Sequence, residues 1–424
     1  MPSLLFLFFG LLALVTAAPG TIQKRSFKVE RVRNVNFKGH DGPRELLKAY
    51  QKYSMPIPAA LLDAIHNKGR PEAVQTKSSA KKGKGHKGAG GSKNGTAPAT
   101  GRNGTAPATG SLRNGTAPAL GRNGTAPING TGLVTATPEA GDVEYLSPVQ
   151  IGGQTINVDF DSGSSDLWVF NTQLSAKSRA GHQVFDPAKS TTFKMLQGAT
   201  FSISYGDGSG AAGNVGTDTV DIGGATVTGQ AVQLATAVSQ SFVADTANNG
   251  LLGLAFSKLN TVKPQKQKTF FDNVMPSLAE PVFTADLRKN AVGAYEFGRI
   301  DQTKFTGQMA WIPVNTTQGF WQFPTSSFAV GTGAPQNVAP AQAIADTGTT
   351  LILTSAAVAD GYYSQVQGAV NDAAVGGITV PCDAQLPDLV LDVGGVYQAR
   401  VKGADINFAQ VQGNSEFTCL PQKT

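Results

Sequence analysis

The sequence predicts an all-β body with a few short helices. From about Gly132, runs rich in β-branched and aromatic residues alternate with Gly, Asp and Asn turns: Val143–Ile151, Thr155–Phe160, Leu167–Phe170, Thr200–Tyr205, Thr217–Ile222 and Ala225–Leu234. Helical stretches are scarce there, with Thr269–Ser277 and Ser355–Val366 the best candidates. One short motif, Asp–hydroxyl–Gly followed by two hydroxyl residues, also closes two separate apolar strands.

Composition narrows the chemistry. The 424 residues allow two to three domains. Only Cys382 and Cys419 are present, so no four-cysteine zinc site can form. Three of the four His fall in the first 90 residues, which argues against His-rich metal sites and Ser-His-Asp or Cys-His catalysts. No metal or cofactor is expected, and the chemistry falls to carboxylates, hydroxyls and backbone. The net charge of +6 hides a split: residues 1–132 hold 20 Lys+Arg and 5 Asp+Glu (+15), and residues 133–424 hold the other 15 and 24 (−9). Mutual attraction of the halves explains this better than nucleic-acid binding, for which no motif is present.

The N-terminus reads as a signal peptide over 1–18. An apolar run from Leu4 to Val15 is too short to span a bilayer and is followed by small residues at Thr16-Ala17-Ala18. The mature chain is therefore expected to be exported, with no membrane anchor. Export allows Cys382 and Cys419 to join in one disulfide, which contributes roughly 3–4 kcal/mol in the loop-entropy account.

Residues 19–75 read as a small ordered segment: a strand over Ser26–Phe37, a helix over Pro43–Tyr53 with Leu46, Leu47 and Tyr50 on one side, and a short helix after Pro58 through Leu61, Leu62 and Ile65. Residues 76–132 form a low-complexity basic linker. In it Asn-Gly-Thr-Ala-Pro recurs at Asn94, Asn103, Asn114 and Asn123, with Asn129-Gly-Thr trailing. These are glycosylation sequons in a segment with nothing large and apolar to bury, and Asn315-Thr-Thr is a sixth. A spacer is the simpler reading; a wall-glycoprotein role is the other.

The two carboxylate loops are Val158-Asp-Phe-Asp161-Ser162-Gly163-Ser164-Ser165 and Ala343-Ile-Ala-Asp346-Thr347-Gly348-Thr349-Thr350. Gly permits a tight turn and close backbone approach, and the hydroxyls can orient the carboxylate plane. Two such loops brought together set two carboxylates side by side. They cannot both ionise easily and share one proton. One can then take a proton from water while the other donates to a carbonyl oxygen.

Further motifs accompany the loops: Trp168 in Asp161-Ser-Gly-Ser-Ser-Asp-Leu-Trp-Val, then Ile203-Ser-Tyr205-Gly206-Asp207-Gly208-Ser209, then Gly250-Leu-Leu-Gly253-Leu. On these the chain resembles the pepsin-like aspartic proteases, of the secreted fungal aspergillopepsin and penicillopepsin type, over about residues 20–75 and 133–424. The resemblance implies a two-lobed pepsin-like acid protease fold with lobes at 133–305 and 306–424. It implies Asp161 and Asp346 as the catalytic pair, supported by Ser162, Gly163, Ser164, Thr347, Gly348 and Thr349. Tyr205 is then the tyrosine of a mobile flap, with Trp168 as its hydrogen-bond partner. Gly206 and Asp207 would line the pocket on the acyl side of the cut, where Asp207 could admit Lys; a plain turn residue is the alternative for Asp207. Leu251-Leu252-Gly253 would thread the first active loop.

Residues 19–75 resemble the family's inhibitory prosegment, with Lys52 and Tyr53 at the site, although Lys52 as a solvated helix charge remains open. The expected partners are polypeptide substrates and the chain's own prosegment, in a monomer. Two departures stand out. Asn249 replaces the usual Asp before Gly-Leu-Leu-Gly. After Cys419 the chain stops at Thr424, where the family continues through another apolar-apolar-Gly segment and a last pair of strands. That implies an incomplete second lobe with exposed strand edges. A catalytically inactive binding protein on the same fold is therefore the alternative to an endopeptidase.

Overall fold

The computed structural model describes Leu46, Leu47, Tyr50, Ile57 and residues 59–66, 130–139, 142–205, 209–372, 377–411 and 415–418. Lys52, Tyr53, Gly206, Asp207, Cys419, the sequons at Asn94, Asn103, Asn114, Asn123 and Asn129, the leader and the 26–37 strand lie outside the described residues. Of the N-terminal helices, Leu46, Leu47 and Tyr50 have helical backbone and a helix spans Ala59–His66.

The first half is one sheet of ten strands: β1 (Gly132–Pro138), β2 (Tyr145–Ile151), β3 (Gln154–Asp161), β4 (Leu167–Val169), β5 (Lys194–Ser204), β6 (Gly210–Ile222), β7 (Ala225–Val238), β8 (Gly250–Gly253), β9 (Phe283–Arg288) and β10 (Ala291–Phe297). Their order is β5-β6-β7-β4-β8-β3-β2-β1-β10-β9, with β6 returning to pair β2. Most neighbours are antiparallel, but β3–β8 and β4–β7 are parallel. The strands over 194–238 run longer than the sequence suggests. Their Gly, Ala and Thr stretches carry little alternation, and pairing between β6 and β7 rather than side-chain pattern defines them.

Among the described residues, the second half holds two four-stranded sheets. One, β12-β11-β15-β16, uses β11 (Gln322–Val330), β12 (Gln336–Ile344), β15 (Leu389–Val393) and β16 (Tyr397–Val401). The other, β13-β14-β18-β17, uses β13 (Val370–Asp372), β14 (Gly377–Pro381), β17 (Asn407–Val411) and β18 (Ser415–Thr418). β12 is an edge strand, mostly exposed, and carries Pro340 where a missing N–H costs least. Trp311 and Tyr397 of this half are also exposed, at 68% and 54%.

Each half has its own core. Val158, Phe160, Leu252, Phe270, Tyr295 and Phe297 anchor the first, and Phe328, Val358, Tyr362, Ile378 and Leu389 the second. The helix Phe270–Val274 starts where sequence places it: the Thr269 hydroxyl accepts from Asp272 N–H, and Phe270, Phe271 and Val274 face inward. The helix Ala356–Tyr363 buries Val358, Ala359, Tyr362 and Tyr363.

β8 fixes the end of β3. It runs parallel to β3, with Gly253 beside Asp161, and antiparallel to β4. Gly253 N–H then donates to Asp166 O (2.9 Å), Leu254 N–H to Asp161 O (2.8 Å) and Ala255 N–H to Ser164 O (2.8 Å). A Cβ on Gly253 would lie 2.5 Å from Ser165 Cα and 2.6 Å from Asp166 N, both backbone atoms. Gly253→Ala is therefore expected to destabilise the protein by about 1–3 kcal/mol, as overpacking does. Urea denaturation measures this, and a midpoint equal to wild type would refute the tight threading.

Candidate active site

Asp161 stands at the C-terminal end of β3 and is fully buried; Asp346 follows the end of β12 and is partly buried. Each carboxylate is held first by its own loop. Gly163 N–H donates to Asp161 Oδ1 (2.8 Å), and Gly348 N–H donates to Asp346 Oδ1 (3.0 Å). Thr349 Oγ1 also donates to Asp346 Oδ2 (2.7 Å).

The loops are joined by a reciprocal set of hydroxyl bonds. Ser162 Oγ accepts from Thr347 N–H (2.8 Å) and donates to Ala345 O (2.9 Å). Thr347 Oγ1 accepts from Ser162 N–H (3.1 Å) and donates to Phe160 O (2.7 Å). Each hydroxyl thus grips the residue before the opposite Asp and the residue after it. Only a group that both donates and accepts can do this, which is why Ser and Thr occupy these positions.

The clasp brings the carboxylates against each other's glycines. A Cβ on Gly163 would lie 2.6 Å from Asp346 Cγ, and one on Gly348 2.6 Å from Asp161 Cγ. The glycines are required by close approach of the opposite acid. The Ser164 hydroxyl, expected to orient Asp161, is buried without a hydrogen-bond partner among the described residues, so the two loops are not chemically equivalent.

Above the first loop, the fully buried Trp168 donates from Nε1 to Tyr205 Oη (2.7 Å). Tyr205 closes its hairpin through its N–H to Ser209 O (2.8 Å). Burial, then the nearby Asp161 and Asp166, push the Tyr205 phenol well up, so it remains a neutral hydrogen-bonding group. Sequence reasoning missed Phe242, on the short helix Gln240–Ala244, whose ring meets Trp168 and Tyr205 edge-on at 4.9 and 5.8 Å. No periodicity marks that helix.

Asp166 flanks the first loop and anchors it. Its Oδ1 accepts from Gln233 Nε2 (2.5 Å), Asn260 Nδ2 (3.2 Å), Thr261 N–H (3.1 Å) and Thr261 Oγ1 (2.9 Å), tying the first loop to β7 and to residues 260–261. Burial raises its pKa, while the Gln233 and Thr261 bonds pull it down less strongly. Asn249 fits the site usually held by Asp. It is buried, donates to Ala247 O (2.9 Å) and Asn157 O (3.2 Å), and accepts from Gln183 N–H (2.8 Å). Asn315 is exposed, as a glycosylation site must be. Away from the loops, Glu139, Glu144 and Asp245 converge. Burial, then Asp245, drive Glu144 well above the usual carboxylate range.

Two Asp-hydroxyl-Gly loops are thus clasped across two β-rich halves, with a carboxylate on each. The family model for eukaryotic aspartyl protease matches residues 144–422, and the chain belongs to that family. It is 54% identical over 282 residues to an aspergillopepsin A-like aspartic endopeptidase of Aspergillus fumigatus, covering 66% of each chain. It is 51% identical to penicillopepsin-1 of Penicillium rubens, covering 67% of this chain and 71% of that one. It is 43% identical over 395 residues to endothiapepsin of Cryphonectria parasitica, covering 92% of this chain and 80% of the relative. The chain spans just under two thirds of the length of the Aspergillus fumigatus relative and of aspartic protease PEP3 of Coccidioides posadasii (66% and 65%).

Two outcomes follow from the geometry. Ser162→Ala leaves Thr347 N–H without its acceptor, so stability should fall by about 1–3 kcal/mol. A thermal or urea unfolding curve matching wild type would show the clasp to be dispensable. Asp166→Asn should change the pH dependence of stability. A carboxyl raised in the folded state binds its proton more tightly there than in the unfolded chain. Its contribution is therefore full at low pH and is lost as pH rises above the ordinary value of 3.8. The variant should thus gain relative to wild type as pH rises through that window. A difference in urea midpoint that does not vary with pH would contradict it.

Proposed function

We propose that this protein is a secreted aspartic endopeptidase that hydrolyses peptide bonds at acidic pH, with Asp161 and Asp346 as its catalytic pair. The observation that carries this reading is the placement of each carboxylate against the opposite loop's glycine, within a clasp of Ser162 and Thr347. Two acids held this closely share one proton, as in aspartic proteases generally. The ionised member takes a proton from a water lying between them as that water's oxygen attacks the scissile carbonyl carbon. The protonated member donates to the carbonyl oxygen, giving a neutral gem-diol. Proton return to the leaving nitrogen breaks the C–N bond, with no covalent link to the chain.

The substrate binds as an extended strand between the halves 133–305 and 306–424. Tyr205 covers it from a hairpin fixed to Trp168, and Gly206 and Asp207 are the residues assigned to the pocket on the acyl side of the cut. Closure over the cleft excludes water from the reacting bond.

The chain is made as a zymogen: residues 1–18 direct export, 19–75 inhibit, and 76–132 form a glycosylated linker. The match to endothiapepsin extends N-terminal to residue 144, because 395 aligned residues do not fit within 144–424. The +15 segment attracts the −9 body near neutral pH, with Lys52 and Tyr53 reaching towards the acids; protonating carboxylates in acid weakens that attraction. Cys382 pairs with Cys419, and the enzyme acts as a monomer.

The test is digestion of casein or haemoglobin at about pH 3–4, where such pairs hold one proton. Asp346→Asn should lower the rate at least about 10²-fold, the contribution of a positioned acid or base. Equal cleavage by wild type and variant would reject the assigned pair. No cleavage by the folded wild type would favour a binding protein on this fold.

A further inference from the structure

The two acid loops are supported differently. The Asp161 loop has β8 threaded beside it, bonded through Gly253, Leu254 and Ala255. Among the described residues, no strand pairs with the 345–353 stretch in this way. Much of what packs there comes from the far N-terminal part of the chain. Leu46, Tyr50 and Leu61 are buried with Leu351, the residue directly after Thr350, in a separate apolar cluster; Leu47, Ile57, Ile65, Leu353 and Phe408 pack around it. Leu61 is fully buried, and Leu46 and Tyr50 are each 1% exposed. These three residues could not reach such burial as parts of an isolated short helix.

We propose that the N-terminal residues Leu46, Tyr50 and Leu61, with Leu47, Ile57 and Ile65, are the apolar buttress of the Asp346 loop, and that they stay docked on Leu351, Leu353 and Phe408 after the linker is cut. The inference rests on, and deepens, the prosegment reading. A segment held by charge alone would leave once salt screened its pairs, since the screening length is about 3 Å at 1 M salt. None of the nine side chains of the cluster is charged, so their contact is not screened in this way. The segment is then more than an inhibitor to be discarded, because it covers apolar surface immediately following the second acid loop.

The experiment uses the full chain carrying Asp161→Asn, so that it does not cleave itself, with a site for a sequence-specific protease placed within residues 76–132. After cutting, gel filtration at neutral pH follows the N-terminal fragment in 0.1 M and 1 M NaCl. The fragment is expected to co-elute with the body in both. Leu61→Ala should speed its dissociation at least about tenfold, and Leu61→Met should retain it. Loss of the unsubstituted fragment at either salt concentration would overturn the proposal, as would a Leu61→Ala fragment dissociating no faster. No step needs activity. A body that holds the fragment yet, without Asp161→Asn, cleaves nothing in acid would therefore count against the protease reading and leave the buttress standing.

Discussion

The reciprocal bonds between Ser162 and Thr347 are the constraint on which the rest of the site depends. Two hydroxyls, 185 residues apart in sequence, each accept a backbone N–H and donate to a carbonyl of the opposite loop. Four part-buried hydrogen bonds tie the residues before and after each acid to the opposite loop. Removing either hydroxyl strands a polar group where water does not readily replace it. Gly163 and Gly348 follow from this, since any side chain there would occupy the other acid's position.

The supports beneath the clasp are unequal. On the first loop, β8 and the four donors to Asp166 hold the backbone from below, and Tyr295 donates from its hydroxyl to Phe160 O (3.2 Å). The Tyr295 ring also lies 4.8 Å from Phe160, so the residue before Asp161 is fixed by both packing and hydrogen bonding. On the second loop, Ala345 N–H bonds to Trp321 O (3.0 Å), Thr350 Oγ1 donates to Val143 O (2.7 Å), and an apolar cluster fills the flank. Asp161 is accordingly the more deeply enclosed of the pair.

On the zymogen reading proposed above, the charge split and the apolar cluster are two different kinds of attachment for the N-terminal segment. Opposite net charge acts over distance and weakens with salt or acid. Burial of Leu46, Tyr50 and Leu61 acts only on contact and depends on shape. A segment using both can be drawn to its place by one and held there by the other.

Much of this was legible in the sequence by itself. Apolar stretches before Asp161 and Asp346 marked strand ends, Thr269 and Ser355 marked helix starts, and the repeated Asp-hydroxyl-Gly motif marked both acids. These signals are local, set by residues within a few positions of one another, and so one chain suffices to read them. The resemblance carried the reading further, to the family and to a hydrogen bond between Tyr205 and Trp168. What only the tertiary structure decided were contacts between residues far apart in the chain. The exchange of bonds between Ser162 and Thr347, the donors gathered on Asp166, Phe242 against Tyr205, and Leu61 against Leu351 leave no periodic trace. The sequence told that hydroxyls would serve the acids. That they would clasp the opposite loops, with Ser164 left aside, was settled by how two β-rich halves meet.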